Sequence, residues 1–429
     1  MKVTILPGPA SGRITVISSK SHLHRLLILA SLADKQTLIH CEHSYAEDIQ
    51  ATITCLEALG AVIDIRNKGF MVTPLNRMRL PPRAVFPCGE SGSTLRFMLP
   101  LACALGVSGE FSMSGRLPDR PLAPLDRELS RHGIQLSQPS HYTLQSEGKL
   151  TAGNYTLPGT ISSQYISGLL MALPLLQGSS SLAVEGLLES ADYVTMTLQT
   201  EKAFGFRPVI NHNRYEIPGR ASGENFTFSS PEKIAAEGDW SNAAFWLCAG
   251  AMPGGKIKLA GLNIHSVQGD RAISDILEHM GAHINWEGET LDICEGRRRG
   301  VEIDARAIPD LIPALCAVAA VSAGKTVVKN AGRLRLKESD RLAAVAQTLN
   351  SLGAKVKEGR DSLHIQGVEG LCGGEVDAWG DHRIAMMAAV ASLACGKPVT
   401  IKGAEAVSKS YPAFWETFRS LGKEVLIDE

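Results

Sequence analysis

The chain has 429 residues, 44% of them hydrophobic and 20% charged, with a formal net charge of −1. That length calls for two or three domains, and the near-neutral balance gives no global field for nucleic acid. Apolar runs of 10 to 14 residues are too short to span a bilayer, and MKVTILPGPASG carries no signal-like apolar core, so the reading is a cytoplasmic globular protein.

In chain order, Lys2–Pro7 and Arg13–Ser18 read as strands, flanked by Pro and Gly. Ser18–Ala33 (SSKSHLHRLLILASLA) then places polar and cationic residues ahead of a nearly all-apolar helix, the pattern of a buried helix whose N-terminus can meet an anion. The same pattern recurs at 90–106, 161–176, 238–252, 308–324 and 381–396. A second, amphipathic helix follows each and stops at glycine before a strand: LGAVIDI, HGIQLS, FGFRPVI, MGAHINW, LGAKVKE, LGKEVLI. These glycines, Gly60, Gly133, Gly205, Gly281, Gly353 and Gly422, lie 69 to 76 residues apart, so the chain is a sixfold repeat of small α/β units.

The sixth unit ends without the further strand that Phe70–Thr73 supplies in the first, and the N-terminal strands are expected to complete it. Three units, 19–231, then form one domain, and 1–18 with 232–429 form the other, joined by two crossing strands. Nine scattered cysteines without a CxxC, and histidines without HExxH spacing, indicate neither a disulfide framework nor a metal site.

The helix entrances carry the chemistry. Lys20, Ser21 and Arg25 put two cations and a hydroxyl at a helix start, suited to phosphate or carboxylate or equally to an ordinary capped helix. Cys88-Gly89-Glu90-Ser91-Gly92-Ser93-Thr94 lets a ligand approach the backbone. Arg120 precedes a proline and so sits in extended or turn backbone. Ser162, Ser163 and Gln164 exceed what a helix cap requires, and Ser190 and Tyr193 can belong to the same wall. Asp310, ahead of LIPALCAVAA, is a helix cap or a low-pKa base. Lys337, Glu338, Asp340 and Arg341 crowd LKESDR, Asp381-His382-Arg383 opens a buried helix, and Lys409 lies in SKSYP.

Taken together, SKS with Arg25, the SGST-R turn, DRP, SSQY, the IPD helix, LKESDR, DHR and SKSYP run in that order over the whole chain, which thereby resembles the 3-phosphoshikimate 1-carboxyvinyltransferase (EPSP synthase) family. The resemblance implies an α/β fold of two similar domains, each of three βαβαββ units, with the buried helices aimed into an interdomain cleft that holds the active site. It implies transfer of the enolpyruvyl group of phosphoenolpyruvate to shikimate 3-phosphate, with no cofactor and no metal, by a monomer whose partners are these two small molecules.

By the same resemblance, Lys20, Ser21, Arg25, Ser162, Ser163, Gln164, Ser190, Tyr193, Asp310 and Lys337 hold shikimate 3-phosphate. Lys20, Gly92, Arg120, Gln164, Arg341, Arg383 and Lys409 meet phosphoenolpyruvate. Asp310 is the candidate base and Glu338 the candidate acid, with Lys20 as a second proton carrier. Ile17, Ser18, Glu90, Ser93 and Arg333 depart from the family pattern and bear on affinity for phosphoenolpyruvate and for inhibitors that mimic it. The alternative reading is a UDP-N-acetylglucosamine 1-carboxyvinyltransferase, but the loop Ser114–Asp119 lacks the reactive cysteine typical of that family. A non-catalytic scaffold binding anions through helix ends is the rival of another class.

Overall fold

The computed structural model describes residues 1–42, 46–220 and 228–428. The chain divides into two compact units, one of Ser18–Ala236 and one of Met1–Ile17 with Glu237–Glu429, each with its own hydrophobic core.

Among the described residues, helices alternate between a buried and an amphipathic member of each repeat. They are α1 (Lys20–Ser31), α2 (Glu47–Ala58), α3 (Gly92–Leu105), α4 (Leu125–Arg131), α5 (Ser163–Ala172), α6 (Ala191–Ala203), α7 (Trp240–Ala251), α8 (Ile273–His279), α9 (Ile312–Ala319), α10 (Arg341–Ser351), α11 (His382–Ser392) and α12 (Phe414–Ser420). The odd-numbered helices are the apolar runs of the sequence. Five of them begin as a capped helix should: the side chains of Ser19, Ser91, Ser162, Asp239 and Asp381 accept a backbone N–H from the first turn. The even-numbered helices end where the glycine refrain placed them. All six glycines are left-handed, with φ between 78° and 102°, a conformation that costs glycine nothing and reverses the chain into the next strand.

Each repeat contributes a four-stranded sheet. In the second, Arg83–Gly89 runs parallel to Ser108–Met113, which pairs antiparallel with Thr143–Gly148, which pairs antiparallel with Ile134–Ser140. With α3 and α4 interposed, this is βαβαββ. The parallel pair forces a crossover, and the buried helix is that crossover.

The crossing strands differ from the sequence expectation. Lys2–Ile5 does complete the sixth sheet, lying between Val399–Lys402 and Val425–Asp428. Ser11–Thr15 instead leads the fourth sheet, parallel to Lys256–Ala260. Pro7, Gly8 at φ 128° and Pro9 break the two apart, since neither proline can donate to a ladder. The expected boundary after Pro231 moves to Ala236, because Lys233–Ala235 leads the first sheet, parallel to Thr37–His40. At the other end Ser18 stays with the Ser18–Ala236 unit, its N–H and hydroxyl bonded to the backbone of Glu42.

Candidate active site

Within Ser18–Ala236, the entrances of α1, α3 and α5 are tied by side chains. Lys20 Nζ stands 2.6 Å from Asp48 Oδ2 of α2. Arg25, one helical turn on, is 2% exposed, and its guanidinium is largely engaged by the protein. It donates to Thr197 Oγ1 (2.7 Å), the Ser21 carbonyl (2.6 Å), Ser167 Oγ (3.2 Å) and the Tyr193 carbonyl (3.0 Å), and lies 5.1 Å over the Phe97 ring. Burial lowers its pKa to about 10, while Tyr193 and Glu201 pull the other way. Arg25 therefore binds α1 to α5 and α6, fixing Ser21 and Tyr193 relative to one another. Ser190, buried and left-handed at φ 55°, turns the chain into α6.

The glycine turn behaves as a close-approach site. Gly92 opens α3, and a Cβ there would overlap Arg96 Nη1 and stand 2.7 Å from Arg120 Nη1, so two guanidinium groups converge on this glycine and would have to shift for any side chain. Gln164 joins this group to α5, accepting from Arg96 Nη1 (3.2 Å) and donating to Ser93 Oγ (2.9 Å). Ser162 caps α5 through the N–H of Gln164, and Ser163 is its first residue. Ser93 thus serves as the acceptor that orients Gln164. The Glu90 carboxyl lies against Gly115, which at φ 54° has no side chain to obstruct it.

In the other unit the site gathers around Arg341, the first residue of α10 and 1% exposed. Its Nη1 meets Asp310 Oδ1 (2.8 Å), its Nη2 meets Glu338 Oε2 (2.7 Å), and its Nε meets Asp381 Oδ2 (2.8 Å). Ser339 Oγ donates to the same Asp381 oxygen at 2.9 Å, and Asp381 Oδ1 caps α11 through the N–H of Arg383. Arg383 reaches Asp310 through both its carboxylate (3.4 Å) and its carbonyl (3.0 Å), and Lys337 Nζ is 3.3 Å from Asp310 Oδ1. Lys409 Nζ donates to the Gly380 carbonyl at 2.7 Å.

The N-cap of α9 is Leu311, without a side-chain cap, so Asp310 does not cap its helix. Burial favours its neutral form, but Arg383, Lys337 and Arg341 together outweigh burial and hold its pKa well below the ordinary carboxylate value. Asp381 follows the same balance, with burial opposed chiefly by Arg341. Burial lowers Lys337 from its usual pKa, and Asp310 draws it back up.

Two residues that the sequence reading left out belong to these clusters. Arg96, 4% exposed, holds the Gly92 carbonyl, Gln164 and the Pro121 carbonyl at once. The R of the SGST-R motif was its only trace. Asp270, buried beside Ser241, which donates to its Oδ2, is raised to about 7 by burial and by the charge of Asp310, against the pull of Arg383. QGDR carried no signal that would mark it.

The comparisons with known proteins agree with one another. The family model for EPSP synthase (3-phosphoshikimate 1-carboxyvinyltransferase) matches residues 6–418. The 3-phosphoshikimate 1-carboxyvinyltransferase of Clostridium kluyveri is 41% identical, over 99% of this chain and 98% of its own length. A solved EPSP synthase from Acinetobacter baumannii superposes with a TM-score of 0.79 at 26% identity, covering 99% of this chain and 100% of that one. The enolpyruvyl transferase NikO from Streptomyces tendae, at 18% identity and a TM-score of 0.80 over 99% and 98% of the two chains, shares the fold.

Proposed function

Since the chain belongs to the EPSP synthase family, we propose that its reaction is carried by the two side-chain clusters described above, each unit supplying one. The protein is a transferase of the shikimate pathway, which leads to the aromatic amino acids. It moves the enolpyruvyl group of phosphoenolpyruvate to the 5-hydroxyl of shikimate 3-phosphate and releases phosphate.

Both substrates are phosphorylated carboxylates, and cations at helix entrances are the groups that bind them. Shikimate 3-phosphate is assigned to Lys20, Ser21, Arg25, Ser162, Ser163, Gln164, Ser190, Tyr193, Asp310 and Lys337. Phosphoenolpyruvate is assigned to Lys20, Gly92, Arg120, Gln164, Arg341, Arg383 and Lys409. In the addition step a proton passes to the methylene carbon while the 5-oxygen bonds to the adjacent carbon and gives up its own proton. In the elimination step the methyl carbon loses a proton, the double bond re-forms and the C–O bond to phosphate breaks.

Asp310 is assigned as base at the hydroxyl, Glu338 as acid at the methylene, and Lys20 as the alternative proton carrier. The observation that carries these roles is the Arg341 guanidinium, which grips Asp310 and Glu338 through separate nitrogens. An anion that competes for Arg341, Arg383 and Lys337 weakens their hold on both carboxylates and raises their proton affinity, so substrate itself switches the pair on. Small charged substrates that do not cross membranes unaided suit a cytoplasmic enzyme, and a monomer is part of the same proposal. Among the described residues, no helix is long and apolar enough to cross a membrane.

The test is phosphate release with phosphoenolpyruvate and shikimate 3-phosphate, run beside UDP-N-acetylglucosamine as acceptor and an Asp310→Ala variant. Release with shikimate 3-phosphate alone, reduced at least about 100-fold in the folded variant, is expected. Full turnover in Asp310→Ala would remove the base assignment.

A further inference from the structure

The core of the Ser18–Ala236 unit contains a hydrogen-bonded chain that the assigned chemistry does not use. His24 of α1, Thr52 of α2 and Thr94 of α3 are each 0% exposed, and Ser91, at the α3 cap, is 1% exposed. His24 Nδ1 is 2.7 Å from Thr52 Oγ1, Thr52 Oγ1 is 2.7 Å from Thr94 Oγ1, and Thr94 Oγ1 is 2.7 Å from Ser91 Oγ. Within the hydrophobic core of this unit, with the Phe97 ring 6.3 Å from the imidazole, such a file of polar atoms persists only if its members satisfy one another.

Proton counting gives the chain a direction. Ser91 Oγ accepts from the Thr94 N–H as the cap of α3 and also from the Thr94 hydroxyl. With that proton spent, Thr94 Oγ1 can only accept from Thr52. The Thr52 proton is then spent in turn, so Thr52 must accept from His24. His24 is thereby the neutral Nδ1–H tautomer, and its Nε2, which has no hydrogen-bond partner among the described residues, carries a lone pair instead of a stranded proton. Burial, followed by the charges of Lys20 and Arg25, drives the imidazole pKa well below its usual value, in keeping with that form. The middle helix also serves both anion entrances. Asp48 of α2 takes Lys20 on its carboxylate, and its carbonyl lies 3.3 Å from the Thr94 hydroxyl oxygen, whose proton the shorter contact to Ser91 takes.

We propose that His24, Thr52 and Thr94 are positioning residues, a one-way hydrogen-bond chain that sets the Ser91–Gly92 turn, and with it the approach to Arg120, for phosphoenolpyruvate. The proposal rests on the assignment of Gly92 and Arg120 to that substrate. The chain reaches the turn through its cap hydroxyl and touches no substrate. Its loss therefore loosens the phosphoenolpyruvate subsite and leaves in place the residues assigned to shikimate 3-phosphate alone, Arg25 and Tyr193 among them.

The test uses Thr52→Val, which keeps the shape of the side chain and removes its hydroxyl, with Thr52→Ser as the variant that restores it. Thr52→Val should raise KM for phosphoenolpyruvate about 5- to 20-fold, with kcat and KM for shikimate 3-phosphate within about 2-fold of the parent, and Thr52→Ser should return KM to within about 2-fold. Long-range proton–nitrogen NMR should find His24 protonated at Nδ1 in the parent, and that signal should shift in Thr52→Val and return in Thr52→Ser. Unchanged KM for phosphoenolpyruvate in Thr52→Val, an equal rise for both substrates, or an Nε2–H tautomer in the parent would each overturn the proposal. Arg120→Lys is measured alongside. If it raises KM for phosphoenolpyruvate and Thr52→Val does not, the chain alone is refuted; if Arg120→Lys has no effect, the subsite assignment falls and the proposal with it.

Discussion

Glu201, on α6, is 0% exposed, and neither of its carboxyl oxygens has a hydrogen-bond partner among the described residues. Burial raises its pKa from 4.5 to about 8, against the pull of Arg25. Between those values the folded protein holds a proton that the unfolded chain has released, so stability falls as pH rises through that window. Glu201→Met removes the effect. Its stabilisation relative to the parent should grow by roughly 2–4 kcal/mol from pH 5 to pH 8, read by urea unfolding at each pH. A difference that stays flat with pH would refute the buried-acid description. Single residues of this kind were the least legible part of the chain. Lys20, Arg25, Lys337, Arg341 and Arg383 stood out because charge ahead of an apolar run is conspicuous. Glu201, Asp270 and Arg96 did not, since burial and partners from distant repeats decide their chemistry and periodicity records neither.

At the scale of elements, pattern and structure coincide more closely. The six buried helices, their polar entrances and the glycine endings were all readable, because a cap and a left-handed glycine are local requirements that a few adjacent residues satisfy. The glycines are nevertheless not equivalent. A Cβ at Gly60 meets nothing within 4 Å, whereas one at Gly281 would collide with the Arg297 carbonyl. Gly60→Ala should therefore cost only the left-handed strain, about 1–2 kcal/mol. Gly281→Ala should cost roughly 3 kcal/mol or more, since the backbone must also move. Denaturant midpoints of the two variants check the order, and equal losses would mean that packing at the turn is irrelevant. What the pattern did not reveal was which sheet each crossing strand enters. Lys2–Ile5, Ser11–Thr15 and Lys233–Ala235 are too short to carry a pattern that names a partner, so only the Pro7-Gly8-Pro9 break hinted that the first two part company.

At the scale of the molecule, strands distant in sequence complete both units. Val3 and Ile5 are 0% exposed in the middle of the sixth sheet, between strands that begin at Val399 and Val425. Deleting residues 1–6 removes no residue assigned to substrate, yet it should lower turnover more than about 100-fold by unseating the sheet that backs Asp381 and Arg383. Phosphate release together with near-ultraviolet circular dichroism tests this, and a truncated protein with normal turnover would contradict it. The same threading governs how the molecule is made. Lys2–Ile5 leaves the ribosome well before its partners Val399–Lys402 and Val425–Asp428. At about 5–20 residues per second it waits on the order of 20 to 80 seconds with both edges unpaired, as Ser11–Thr15 waits for Lys256–Ala260. During synthesis the Ser18–Ala236 unit can close while these strands are still searching, so these two strands are the stretch that most needs a chaperone.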